Sequence, residues 1–412
     1  MAFRPRARRL WASLRAERRT LRQGLVALLL STFAGLTAGL TLGAVTHTLV
    51  EVPGLLILIP AAVGMKGTIF GAIGARLGTS INAGLFQVSR DREGVLYQNV
   101  HVGVVTTFAS ALYLAVLARL SAAAFGLPSA SILDLVTISV VGGALGSAVA
   151  LLFTLGLAVL SQRRGYDLDA VATPMVTAIG DMTTIPSLFA ATFITRVPWL
   201  NAAVGSLCIA VALYVTVRGA MTELPAARRA LLEMALVIVL TPILDILAGT
   251  AMERRLETAF TSLPALLIPV PVLVSQLGAL GGVLSSRLSS KLHLGVIEPR
   301  GLPQAPAVLD AGLVTIQGAA VFTTIGFLAA GVAAGFGVPG PGWGHLVGSV
   351  VLTGLLSLPV ALVAAYYLAI STSRFGLDPD NHGVPIITSV MDLTGVLAYL
   401  LVLTLLGVAP HG

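Results

Sequence analysis

Long apolar runs separated by short polar stretches fill almost the whole chain. They cover residues 24–49, 53–86, 95–125, 131–160 and 170–195, then 199–219, then 230–250, 263–292, 305–336, 343–371 and 383–409. Each is long enough to cross the roughly 30 Å hydrocarbon core of a bilayer as a helix, which takes about 20 residues. Apolar residues persist along each run instead of alternating with polar ones, which excludes a transmembrane β-barrel. The pattern predicts an all-α polytopic membrane protein with eleven crossings.

The pattern also repeats. Pro53, Pro60, Gly67, Gly71, Arg76, Leu77 and Gly84 recur as Pro264, Pro271, Gly278, Gly282, Arg287, Leu288 and Gly295, always 211 positions on. At the same offset Asn99 meets Asp310 and Asp134 meets His345. A period of this size marks a duplicated unit rather than a solenoid. Each unit holds five crossings. An odd unit fused directly to itself would be inverted, as in many transporters. The sixth run, 199–219, adds one crossing and restores a parallel pair about an axis along the membrane normal; the alternative is that it lies re-entrant or on the surface, which would give an inverted pair. The expected organisation is a tail at 1–23, a five-helix repeat at 24–197, a linker helix at 198–222 and a second five-helix repeat at 223–412.

Charge places this arrangement in the membrane. Of 412 residues 56% are hydrophobic and 10% charged, with a mean hydropathy of +0.94. The net +7 is concentrated in residues 1–23, where eight Arg face Glu17 alone; the rest balances 17 basic against 17 acidic side chains. A basic tail before the first apolar run reads as a cytoplasmic anchor on lipid and not as a nucleic-acid surface. Arg90, Arg92, Arg163, Arg164, Arg218, Arg228, Arg229, Arg287, Lys291, Arg300 and Arg374 fall on the same side if every run crosses once. The N-terminus is therefore expected in the cytoplasm and the C-terminus outside, in the plasma membrane. Cys208 is the sole cysteine and the six His are scattered, so neither a disulfide nor a zinc or iron–sulfur site is expected. No catalytic constellation or bound cofactor is expected either.

The candidate chemistry lies in two matching stretches. Asp167-Leu-Asp169, Pro174, Thr177 and Asp181 recur as Asp378-Pro-Asp380, Pro385, Thr388 and Asp392. Asp181 and Asp392 fall inside apolar runs, where an ionisable residue costs about 2.5–3.5 kcal/mol on insertion scales and marks a functional position. Thr177 and Thr388 lie one helical turn before them on the same face, with Thr173 a further turn back in the first copy. Pro174 and Pro385 would each free a backbone carbonyl, near 170–171 and 381–382. Such a face offers only oxygen, which suits a hard cation; Mg²⁺, which keeps several waters and touches one or two carboxylates, fits two symmetric Asp on an axis. The bland alternative is that each Asp bonds within the bundle. Asp167, Asp169, Asp378 and Asp380 sit at the cytoplasmic starts of these runs, as helix caps or as a second cation site.

Other polar residues are less decisive. Lys66, deep in the second run, would pair with a carboxylate, tune selectivity or snorkel. Arg76 and Arg287 are expected to reach the cytoplasmic interface. Asp245, Asp310 and Asn99 serve either as polar glue or as accessory ligands, and Asp245, whose counterpart is Ala34, cannot belong to a symmetric site. The Gly-rich second and eighth runs would let helices approach closely.

The stretch Asp378-Pro-Asp-Asn-His-Gly-Val-Pro-Ile-Ile-Thr-Ser-Val-Met-Asp392 resembles the signature of the MgtE magnesium channel membrane domain, and Arg287-Leu-Ser-Ser-Lys-Leu-His-Leu-Gly295 resembles a second segment of that family. The first repeat keeps Arg76-Leu77 and Gly84, with Asn82 at the His position. In carrying the domain twice, the chain looks still more like prokaryotic relatives of the solute-carrier magnesium transporters. The resemblance, over about residues 24–409, implies a fused form of a parallel dimer of five-helix domains that works as a monomer or a homodimer. It implies Mg²⁺ as the transported ion, held in hydrated form by Asp181 and Asp392 beside Thr177 and Thr388. Thr68 and Ala279 stand where the family often has Asn. With about 23 residues before the membrane, the family's cytoplasmic sensor and its gating are not expected. Flux would be channel-like or coupled to Na⁺ or H⁺, and Mn²⁺ or Co²⁺ are alternative substrates. The rival from another class, an intramembrane aspartyl protease, would use Tyr166-Asp167 and Gly180-Asp181, but Ala178 replaces the first Gly of its Gly-x-Gly-Asp motif.

Overall fold

A computed structural model describes residues 18–89, 91–164, 168–375 and 383–408. Among these residues the chain is helical, without strands. The long helices are α1 Arg18–Ala44, α2 Leu55–Asn82, α3 Val95–Ala124, α4 Ile132–Arg163, α5 Leu168–Thr195, α6 Pro198–Ala220, α7 Pro225–Glu253, α8 Pro269–His293, α9 Ala305–Gly335, α10 Trp343–Phe375 and α11 Val384–Leu405. They correspond in order to the eleven apolar runs. Nine described helices meet the length and composition of a membrane span. The other two, α1 and α5, have 27 and 28 residues, about 40 Å each at 1.5 Å per residue.

Helix ends follow local chemistry. Ser131 caps α4 by accepting from the Asp134 N–H at 3.1 Å, while the Asp134 carboxylate accepts from the Ser131 N–H at 3.0 Å. This reciprocal pair satisfies two donors at the helix start. Asp134 also accepts from Asn201 at 2.6 Å, and Asn201 accepts from Thr137 at 2.7 Å. Through these bonds α6 is tied to the outer edge of the first repeat, against α3 and α4. Its remaining faces carry exposed Leu207, Leu213, Tyr214 and Val217, as expected of a helix that borders lipid.

The two repeats exchange their first helices. α1 packs on α5 of its own repeat and on α8 and α9 of the other; α7 packs on α11 of its own repeat and on α2 and α3 of the other. A Cβ built on Gly39 would lie 1.8 Å from the Ile268 carbonyl oxygen, and one on Gly249 would lie 2.3 Å from that of Ile57. Only glycine lets the backbones touch there. Ile57 and Ile268 are repeat equivalents, and Gly249 is one residue out of step with Gly39. Contacts that return with the partners reversed are the mark of a twofold relation. α2 starts at Gly54, whose φ of 84° favours glycine; its N–H donates to Glu253 of α7 at 2.8 Å, another link between the repeats.

Arg76 and Arg287 do not simply reach for the interface. Arg76 on α2 donates to Asn99 on α3 at 3.1 Å. Its counterpart Arg287 on α8 lies 3.7 Å from Asp310 on α9, and Lys291 lies 2.6 Å from the same carboxylate. Asp310 is buried, so a charge there needs a cationic partner. The Asn99 and Asp310 positions are thus polar ties between the second and third helices of each repeat.

Candidate ion-binding site

Asp181 lies midway along α5 and Asp392 on α11, at 3% and 7% exposure. Both face across the repeat boundary. Asp181 Oδ2 accepts from the Ser275 hydroxyl of α8, in the other repeat, at 3.1 Å. Asp392 Oδ2 borders the space beside Gly64 of α2, in the first repeat.

Asp392 has a closer neighbour. Asp245 on α7, 1% exposed, turns its carboxyl group to the same space as that of Asp392. Two buried carboxyl groups that border one space favour positive charge there, either a shared proton or a cation. α2 of the first repeat passes this pair at Gly64: a Cβ there would lie 2.9 Å from Asp245 Oδ2 and 3.5 Å from Asp392 Oδ2. The absent side chain leaves the carboxylates room.

One turn before the acidic residues, Thr177 and Thr388 occupy equivalent seats. Thr177 faces Gly67 of α2, and Thr388 faces Gly278 of α8. Both hydroxyl positions are half-buried, and Thr388 Oγ1 donates to the Val384 carbonyl at 2.9 Å, which leaves its lone pairs free to accept. The paired glycines thus admit the helices that carry the acidic residues. The donor set is carboxylate and hydroxyl oxygen, the chemistry of a hard cation. Among the described residues no three or more His, Cys, Asp and Glu side chains are grouped so as to hold a metal ion.

Other expectations fare variously. Asp169 falls at the second position of α5, in keeping with a helix start; Asp167, Asp378 and Asp380 lie outside the described residues. Pro385 is the second residue of α11, and the carbonyls it was expected to free, near 381–382, lie outside the described residues. The helical backbone of α5 continues through position 174. Lys66 pairs with a carbonyl and a hydroxyl of α4, not with a carboxylate: it donates to Gly143 O at 2.5 Å and to Ser147 Oγ, which also accepts from Thr107. That carbonyl follows a π-helical turn at Ile138–Gly142, a local irregularity that changes how carbonyls are presented. Ser275 was not expected at the site, and Asp245 was expected only as polar glue or an accessory ligand. Their counterparts are Gly64 and Ala34, so a search for matched pairs passes over them.

The model of the MgtE family, described as divalent cation transporters, matches residues 59–191 and again 270–402, two segments 211 positions apart that together span most of the chain. The chain belongs to the MgtE family. Among curated proteins, mouse (Mus musculus) solute carrier family 41 member 2 is 26% identical, covering 90% of this chain and 68% of the relative. Rat (Rattus norvegicus) solute carrier family 41 member 3 is 25% identical, over 90% of this chain and 84% of the relative. Human (Homo sapiens) member 2 is 24% identical, with 90% and 68% covered. No solved structure matches. Both acidic residues of the matched pair, Asp181 and Asp392, fall inside the family segments. So do Thr177 and Thr388. Asp245 falls outside them.

Proposed function

We propose that the chain moves divalent cations, Mg²⁺ first among them, across the plasma membrane along a path between its two repeats, with Asp181 and Asp392 as the acidic pair that holds the hydrated ion. The observation that carries this reading is the burial of two repeat-equivalent carboxylates, on α5 and α11, at the boundary between the repeats and inside the family segments. Their mutual repulsion in a medium of low dielectric is large until a cation lies between them. A dication offsets two formal charges, and coordinated waters reach carboxylate and threonine oxygens by hydrogen bonds. Thr177 and Thr388 line the approach. The repeats run over 24–197 and 223–412 in parallel, with 198–222 as the crossing between them, the N-terminus in the cytoplasm and the C-terminus outside. Asp167, Asp169, Asp378 and Asp380 act at the cytoplasmic mouth, by drawing cations toward it.

The test is Mg²⁺ entry into proteoliposomes loaded with a Mg²⁺-sensitive dye. Asp181→Asn and Asp392→Asn are expected to reduce uptake at least about 10-fold each, the scale of losses seen around metal centres, while both proteins stay monodisperse. Uptake at the wild-type rate in the doubly substituted protein would end this assignment. Competition by Mn²⁺ or Co²⁺ in the same vesicles ranks the substrates.

A further inference from the structure

We infer that Asp245 is a third carboxylate of the ion centre, and that the transported dication is held off-axis, between Asp392 and Asp245 on the second repeat's side. This rests on the reading above and adds to it a ligand and a position. Four observations carry it. Asp245 is almost wholly buried, and its Oδ1 has no hydrogen-bond partner among the described residues. A buried acceptor without a donor is costly and rare; a hydrated cation, whose waters present only donors, would satisfy it. Asp245 Oδ2 and Asp392 Oδ2 both border the space that a side chain on Gly64 would fill. Ser389, on α11 one turn ahead of Asp392, is itself buried and within reach of Asp245.

The fourth observation is the contrast with the first repeat. At the positions equivalent to Asp245 and Gly64 stand Ala34 and Ser275. Asp181 therefore has no second carboxylate beside it, and one of its oxygens is already occupied by the Ser275 hydroxyl. That half of the molecule also buries the Lys66 ammonium, where the second repeat has Leu277. Two negative charges thus lie on one side and one negative plus one positive on the other. A dication moves toward the more negative side. Its nearest acidic partners are then Asp392 and Asp245, with Asp181 across the boundary. A purely structural Asp245, serving as glue to Ser389, would leave cation binding unchanged when its charge is removed.

The experiment uses the full-length protein with Mg²⁺ as the probe, and reads the half-saturating Mg²⁺ concentration in two ways: initial uptake into proteoliposomes, and protection of the purified protein against thermal unfolding. Asp245→Asn is expected to raise both values about 10–100-fold. Gly64→Ala keeps every charge but sets a methyl group against both carboxylates, and is expected to raise them in the same direction; it decides the matter if Asp245→Asn does not fold. Asp392→Asn is expected to weaken Mg²⁺ more than Asp181→Asn does. Wild-type half-saturation in both Asp245→Asn and Gly64→Ala, beside a clear loss in Asp392→Asn, would overturn this inference and leave the acidic pair standing. Wild-type behaviour in Asp181→Asn and Asp392→Asn would instead remove the reading on which it rests.

Discussion

Gly67 and Gly278 are repeat equivalents, yet the same substitution is expected to act differently at the two. A methyl group on Gly278 would lie 3.0 Å from Thr388 Cγ2 and 3.1 Å from its Cα, so it meets backbone as well as side chain. Ordinary contact begins near 3.4 Å, and α8 and α11 must separate by about 0.4 Å; overpacking of this kind costs about 1–3 kcal/mol. On Gly67 the nearest atom is Thr177 Cγ2 at 3.5 Å, ordinary contact, and the helix gains about 0.5–1 kcal/mol from losing a glycine. Gly278→Ala should therefore unfold more readily than Gly67→Ala, by about 1–3 kcal/mol. Because Thr388 is one turn from Asp392, the same retreat shifts the acidic side chain by a distance comparable to the roughly 0.5 Å tolerance of a functional constellation. Thermal unfolding of the purified proteins, followed by Mg²⁺ uptake in proteoliposomes, reads both effects. Equal melting of the two variants, or a worse outcome for Gly67→Ala, would refute the packing argument.

The polar ties give a second asymmetry. Asp310→Ala removes a buried carboxylate from between Arg287 and Lys291 and should cost about 3–5 kcal/mol, whereas Asn99→Ala removes one hydrogen bond to Arg76 and should cost about 1.5–3 kcal/mol; chemical denaturation in detergent compares them, and a larger loss for Asn99→Ala would contradict the assignment. Lys66→Leu gives the first repeat the residue of the second. Replacing a buried charge by an apolar side chain is commonly neutral or stabilising, so the melting temperature should hold or rise; a protein that no longer folds would show that the ammonium is needed for assembly.

The apolar runs made the helices legible because a bilayer leaves each span few other options: about 20 apolar residues must satisfy their own backbone. The 211-residue offset made the doubling legible, and with it the matched seats of Thr177 and Thr388 and the Arg76–Asn99 and Arg287–Asp310 positions. It did not reveal who bonds to whom. The pairing of the two arginines with Asn99 and Asp310 was not legible, since sequence spacing does not say which faces of consecutive helices meet. The repeat itself hid Ser275 and left Asp245 open between polar glue and accessory ligand. Both depart from their counterparts, and residues that differ between copies carry no signal in a search for symmetry. Lys66 was conspicuous as a charge in an apolar run, but its partners, Gly143 and Ser147, are a carbonyl and a hydroxyl that no charge-based search would choose.

The central claim is that buried carboxylates from both repeats gather around one hydrated dication. A structure determined in Mn²⁺, with the ion located by its anomalous scattering, tests this most directly. The expected result is a peak within water-bridged reach of Asp392 and Asp181, displaced toward Asp245. A structure whose Mn²⁺ peaks lie only elsewhere, with Asp181 and Asp392 bonded into separate helix contacts, would contradict it.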